Sequence, residues 1–232
     1  MRTKRITIYA VRVTPLVIAA LGLMAASGSA QAVLRSFDQD AVGSAPPGFS
    51  FAAARLATGG KWLVRADGAN RYMAHLSEPA AGEGFAIAVL DGMPPIELRL
   101  SARLKLAEGA RAGGLVWRYQ NPENFYAVSL DLTAQEVSLY RVARGNRIRL
   151  EVEDDLELDP QAWHSLRIEH DDGRIRVALG GIGVIRARDR AVEENGRAGV
   201  WSAGAATTWF DDVQVQPADN DAEGRRRETP GR

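Results

Sequence analysis

The chain of 232 residues contains no cysteine. That excludes a disulfide framework, thiolate metal sites, a cysteine nucleophile and a lipidated lipoprotein cysteine. Histidine is scarce: His75, His164 and His170 are the only three, and none stands in a metal-binding spacing such as His-x-x-x-His. Neither sign of charge is in excess, with 29 Lys+Arg against 29 Asp+Glu, which is not the footprint of a nucleic-acid binder. The longest apolar run, residues 13–26, is broken by Thr14, Pro15 and Gly22. It falls short of the roughly 18 residues that span a bilayer. No Gly-x-Ser-x-Gly elbow is present, and Gly113-Gly114 precedes a strand pattern rather than a helix, so neither a serine hydrolase elbow nor a phosphate loop is supported. What remains is a chain 46% hydrophobic and 25% charged, enough to bury one core and unlike a disordered polymer.

The first residues read as an address. Arg2, Lys4, Arg5 and Arg12 precede the apolar run, no acid occurs among them, and Ala30-Gln31-Ala32 fits the small-x-small rule for cleavage. Residues 1–32 are therefore expected to be a signal peptide cut after Ala32; an uncleaved anchor is the competing reading. Cleavage leaves 25 basic against 29 acidic residues, net −4. The mature form is expected to be exported to a periplasm or the medium and not to span a membrane. Pro217 to Arg232 has no apolar residue beyond two alanines, and residues 217–232 read as a disordered polar tail.

Between these ends the hydrophobic period is two. In Ile96 to Leu106 even positions are apolar and odd ones mostly polar, a strand with one buried and one wet face. Further strands are expected at 115–119, 125–132, 136–142, 147–152, 163–169, 174–179, 182–188, 198–202 and 207–215. Turn chemistry fills the gaps: Asn121-Pro122-Glu123-Asn124, Arg144-Gly145-Asn146 and Asp172-Gly173. Strands every 8–12 residues with no crossover helices predict an all-β fold, an antiparallel β-sandwich or jelly roll, over residues 33–216. The segment from Val33 to about Gly60 is less regular.

Several motifs then fall in a recognisable order. The run from Gly113 through Trp117, Arg118 and Tyr119 to Asn124-Phe125-Tyr126 resembles the central strands of the concanavalin A-like lectin/glucanase superfamily. More narrowly it resembles laminin-G-like domains and the domain called 3-keto-disaccharide hydrolase or family-16 glycoside hydrolase-like. Trp163-His164-Ser165-Leu166-Arg167-Ile168, Gly199-Val200-Trp201 and Phe210-Asp211-Asp212-Val213 agree, as does Phe37-Asp38 followed by Pro-Gly. The resemblance covers residues 36–216 and implies a jelly roll. It implies little about activity, because the superfamily holds sugar binders, glycosidases and adhesion modules.

Glycoside hydrolysis needs two carboxyls about 5–9.5 Å apart. The nearest acidic strand, Glu151 to Asp159, lacks the Glu-x-Asp-x-x-Glu order of family-16 enzymes and reads as a solvated edge or loop. No catalytic residue is assigned. A binding face is the stronger expectation. Alternation puts Leu115, Trp117, Tyr119, Tyr126, Val128 and Leu130 inward, and Trp62, Trp163 and Trp209 also read as core. It puts Arg118, Ser129, Asp131, Tyr140 and Trp201 outward, as candidate ligand-binding residues: Arg118 for bidentate hydrogen bonds, Tyr140 or Trp201 for stacking on a pyranose. The expected partner is a saccharide or cell-envelope polymer. A glycoside hydrolase-like or 3-keto-disaccharide hydrolase-like enzyme, and a structural or adhesion module without a small ligand, remain as alternatives. The resemblance further implies a structural Ca²⁺ joining the first and last strands, with Asp38, Asp211 and Asp212 as its candidate ligands.

Overall fold

A computed structural model describes residues 32–54, 60–76, 84–107, 112–203 and 207–218. The expected signal peptide and nearly all of the expected tail lie outside the described residues. Among the described residues no helix is long and apolar enough to cross a membrane.

Among the described residues every regular element is a strand. The order is β1 (Val33–Arg35), β2 (Phe49–Ala54), β3 (Lys61–Asp67), β4 (Asn70–Leu76), β5 (Phe85–Leu90), β6 (Leu98–Leu106), β7 (Ala112–Asn121) and β8 (Asn124–Asp131). There follow β9 (Glu136–Ala143), β10 (Asn146–Glu153), β11 (His164–Asp171), β12 (Arg174–Leu179), β13 (Ile182–Arg188), β14 (Arg197–Ala203) and β15 (Thr208–Pro217). They form two antiparallel sheets. Sheet A runs β13-β12-β11-β6-β15-β4-β3, with β1 also paired to β15; sheet B runs β10-β9-β8-β7-β14-β5-β2. The expected all-β sandwich is therefore the observed one.

The core between the sheets follows the alternation. Leu98, Leu100, Ala102, Leu104 and Leu106 of β6 face Leu115, Trp117, Tyr126, Val128 and Leu130 of β7 and β8. A polar seam crosses it. Trp117 Nε1 donates to His170 Nδ1 at 3.0 Å, and Tyr126 Oη donates to Asp189 at 2.5 Å while Arg141 pairs with the same carboxylate. An imidazole that accepts from Trp117 must be neutral. Burial, then the nearby Arg118 guanidinium, holds His170 well below the usual histidine range, at about 4. Burial does the same to His75, also to about 4.

Strands β1 to β5 lie outside the expected set, and β5 shows one reason: all six of its residues are buried. Ala86, Ala88 and Leu90 face the inter-sheet core, whereas Phe85, Ile87 and Val89 belong to a second cluster on the outer face of sheet B. A strand apolar on both faces shows no alternation.

That second cluster bends the sheet. Phe85 on β5 and Phe125 on β8 lie three strand steps apart, about 14 Å on a flat sheet, yet their ring centroids are 5.7 Å apart. The Arg147 guanidinium on β10, five steps from β5, sits 5.9 Å from the Phe85 ring. Sheet B therefore curls around its outer aromatics, and that face is concave. Two glycines sit on it. A Cβ on Gly114 would stand 1.9 Å from the Val128 carbonyl oxygen, and one on Gly199 2.0 Å from that of Ala88, so only glycine fits the curl at these points.

The neutral state of the two buried histidines fixes a pH response. Folded pKa values near 4 against 6.5 unfolded mean that the unfolded chain binds more protons between those limits. Stability is full above pH 6.5 and falls towards pH 4, by up to about 3 kcal/mol per histidine. Urea unfolding at pH 7 and pH 4.5 should show this loss, and His170→Gln should be less sensitive to pH over the same interval than the parent chain.

Candidate functional site

The concave face of sheet B carries three of the sequence candidates in adjoining rows. Trp201 stands opposite Gly114, Gly114 opposite Ser129, and Ser129 opposite Ser138; in the next row Ala127 stands opposite Tyr140. The face is not an open aromatic platform. Trp201 is only 2% exposed. Its ring lies 4.4 Å from that of Phe85, and its Nε1 crosses Gly114 to donate to the Val128 carbonyl at 3.0 Å. Ser129 is buried beneath it. Tyr140 is half-buried, with the Arg147 guanidinium 4.7 Å above its ring. At the rim Ser138 donates to Glu136 at 2.7 Å, and Arg149 lies 3.8 Å from the same carboxylate. Asp131 is spent on a turn: its Oδ1 accepts from the Thr133 and Ala134 amides at 2.9 Å.

Arg118 corrects the expected alternation. It occupies a positive φ of 48° at a register shift between Trp117 and Asn121. This bulge inserts a residue and reverses the faces beyond it. Arg118 is 6% exposed, donates to the Val192 carbonyl at 2.8 Å and reaches that of Ile96 at 3.4 Å. Tyr119, expected in the inter-sheet core, packs against Phe125 on the concave face instead. Arg118 thus pins the loops at one end of the sandwich and has no path to a ligand on the concave face.

Two further tryptophans depart from expectation. Trp62 is core, as expected. Trp163 and Trp209 lie half-buried on the open face of sheet A. With Tyr72 they form an aromatic cluster, at centroid distances of 5.0 Å (Tyr72–Trp209), 5.8 Å (Tyr72–Trp163) and 6.3 Å (Trp163–Trp209). Arg103 lies 5.1 Å from the Trp163 ring and Lys105 5.2 Å from that of Trp209. In Trp209-Phe210-Asp211 only one of two neighbouring aromatics can face inward, and Phe210 takes that side.

The same face holds two of the expected calcium ligands, Asp211 and Asp212. Asp211 is 2% exposed, and burial pushes its carboxyl pKa upward. It accepts from the Asp212 amide at 2.8 Å, and Arg103 lies 3.9 Å from it and 3.2 Å from Asp212. Asp38 accepts instead from the Arg71 amide at 3.3 Å. No group of three potential metal-ligating side chains occurs among the described residues. A guanidinium already occupies the space between the paired aspartates and Asp38 is engaged elsewhere, so the donor set does not fit Ca²⁺. The acidic run is also dispersed: Glu151 and Glu153 end β10, while Asp155 and Glu157 lie beyond it, all exposed.

No family model matches the chain, and no curated protein matches it. Solved structures do. The carbohydrate binding module CBM66 from Bacillus subtilis is 17% identical, with 73% of this chain and 95% of that one covered at a TM-score of 0.59. The cellulose induced protein Cip1 is 15% identical over 79% and 96%, at 0.56. Domain 4 of AbnA, a GH43 extracellular arabinanase from Geobacillus stearothermophilus solved in complex with arabinotriose, is 11% identical over 81% and 93%, at 0.53. The shared property is the jelly-roll fold.

The absence of a suitable donor set leads to a simple expectation. Excess EDTA should leave the melting temperature within about 1 °C of its untreated value, because an ion bound only by the folded state would raise it. Added Ca²⁺ should likewise produce no shift in a thermal melt.

Proposed function

We propose that this chain is an exported, non-catalytic domain that binds carbohydrate on the open face of sheet A. The observation that carries the reading is the Tyr72–Trp163–Trp209 cluster with Arg103 and Lys105 beside it. The half-buried indoles of Trp163 and Trp209 retain surface that can stack on the C–H face of a sugar ring, and the cations over them can donate hydrogen bonds to its hydroxyls. The fold supports the same reading, since the likenesses include a carbohydrate binding module and a domain crystallised with an arabinose trimer. The carboxylates beside the cluster, Asp211 and Asp212, are adjacent in sequence and share Arg103. They do not flank a cleft as a glycosidic acid–base pair would. Export rests on the basic, apolar and small-residue pattern of residues 1–32.

Affinity electrophoresis through arabinan, xylan and soluble cellulose derivatives tests the binding. Retardation by at least one polymer is expected, weakened about tenfold or more in Trp209→Ala, a loss of about 1.4 kcal/mol. Tyr140→Ala, on the other sheet, should leave retardation unchanged. Absence of retardation by every polymer, or equal retardation of the Trp209 variant, would remove the proposal. Mass spectrometry of the exported form should give an N-terminus at Val33.

A further inference from the structure

Away from the aromatic platform, the two sheets meet along one side, where the edge strands β10 and β13 run beside each other. A groove of about 530 Å³ opens there, lined by Glu151, Arg174, Ile175, Arg176, Arg186, Ala187 and Arg188. Four of its seven lining residues are arginines, in a chain whose total charge is balanced.

The register makes this concentration costly. Arg174 stands directly opposite Arg188, and Arg176 directly opposite Arg186. Like charges in directly opposed cross-strand positions destabilise a sheet. β11 relieves only half of the quartet: Glu169 pairs with Arg176 at 2.6 Å and Asp171 with Arg174 at 3.5 Å. Arg186 and Arg188, on the outermost strand, are exposed and have no ion-pair partner among the described residues. Glu169 is itself shared with Arg99 at 3.4 Å, so it has little charge to spare for a further cation.

We propose that the β12–β13 groove binds a linear anionic glycan, whose successive carboxylate or sulfate groups lie against Arg186 and Arg188. Guanidinium groups on neighbouring strands are rooted about 4.8 Å apart, and those two residues apart on one strand about 7 Å. This array offers paired N–H donors to more than one anionic group of a polymer, and each planar guanidinium suits bidentate contact with a carboxylate or sulfate. The groove holds no aromatic ring, so the stacking that retains single-stranded nucleic acid is missing. Its apolar lining is limited to Ile175, which is buried, and Ala187, which gives a lipid surface nothing to insert against. The lining residues are distinct from Tyr72, Trp163 and Trp209, so either site stands if the other fails.

The test uses the folded protein in affinity electrophoresis against polygalacturonate, dextran sulfate and neutral dextran. Retardation by polygalacturonate identifies a carboxylate glycan and retardation by dextran sulfate alone a sulfated one; neutral dextran should not retard. Raising NaCl from 50 to 300 mM should weaken the interaction about tenfold, as screening of exposed charges requires. The double variant Arg186→Ala/Arg188→Ala should lose about tenfold or more in affinity for the anionic polymer. Its melting temperature should be equal or higher, because two like-charge contacts are removed. Undiminished retardation of the double variant, or no retardation by either polyanion, would overturn the proposal. Tighter, arginine-dependent binding of duplex DNA than of both glycans would overturn the choice of ligand.

Discussion

The structure depends on one constraint, the burial of both faces of sheet B. Its inner face closes the sandwich against β6 and β11. Its outer face carries Phe85, Ile87, Val116, Tyr119, Phe125 and Trp201, none more than 3% exposed. Apolar side chains on an outer face can leave water by curling the sheet until its distant strands meet. The Phe85–Phe125 and Phe85–Trp201 contacts are the result, and Arg147 covers the closed surface from the far edge. Gly114 and Gly199 are the local condition for that curl, since a side chain at either would collide with a neighbouring carbonyl.

This closure redistributes the surfaces on which a ligand can rest. In a jelly roll with an open concave face, aromatics there would be available to a ligand. Here they form a second core, and Trp201 directs its indole N–H to the backbone. Partly exposed aromatic area appears instead on sheet A, where Trp163 and Trp209 gather over the buried Tyr72 with cations above them. Exposed positive charge gathers at the β12–β13 edge, where opposed arginines exceed the carboxylates β11 supplies. The two surfaces differ in chemistry: one presents indole rings beside cations, the other guanidinium groups without carboxylate partners among the described residues.

The polar seam inside the sandwich serves a different purpose. Trp117 and His170 join the two sheets by a hydrogen bond, and Tyr126 and Arg141 of sheet B hold Asp189, just beyond β13. Arg118 adds a guanidinium tied to the Val192 carbonyl at the same end. A bulge brings it there, and the bulge also turns Tyr119 to the concave face. One inserted residue therefore supplies both an end clamp for the sandwich and an aromatic for the second core.

Much of the fold was legible in the sequence, because period-two alternation is a local signal. It located most of the strands from β6 onward, placed Trp117, Tyr126 and Val128 inward, and set Ser129, Tyr140 and Trp201 on the opposite face. Alternation alone could not report that this opposite face would itself be buried, since curvature comes from contacts between strands far apart in sequence. Nor could it foresee the Arg118 bulge, which is a property of pairing with β8 and β14, or Arg103 settling between Asp211 and Asp212. The sequence by itself determined which side of each regular strand a residue occupies; the tertiary structure decided which of those sides meet water, because exposure depends on what the other sheet and the distant strands bring against them.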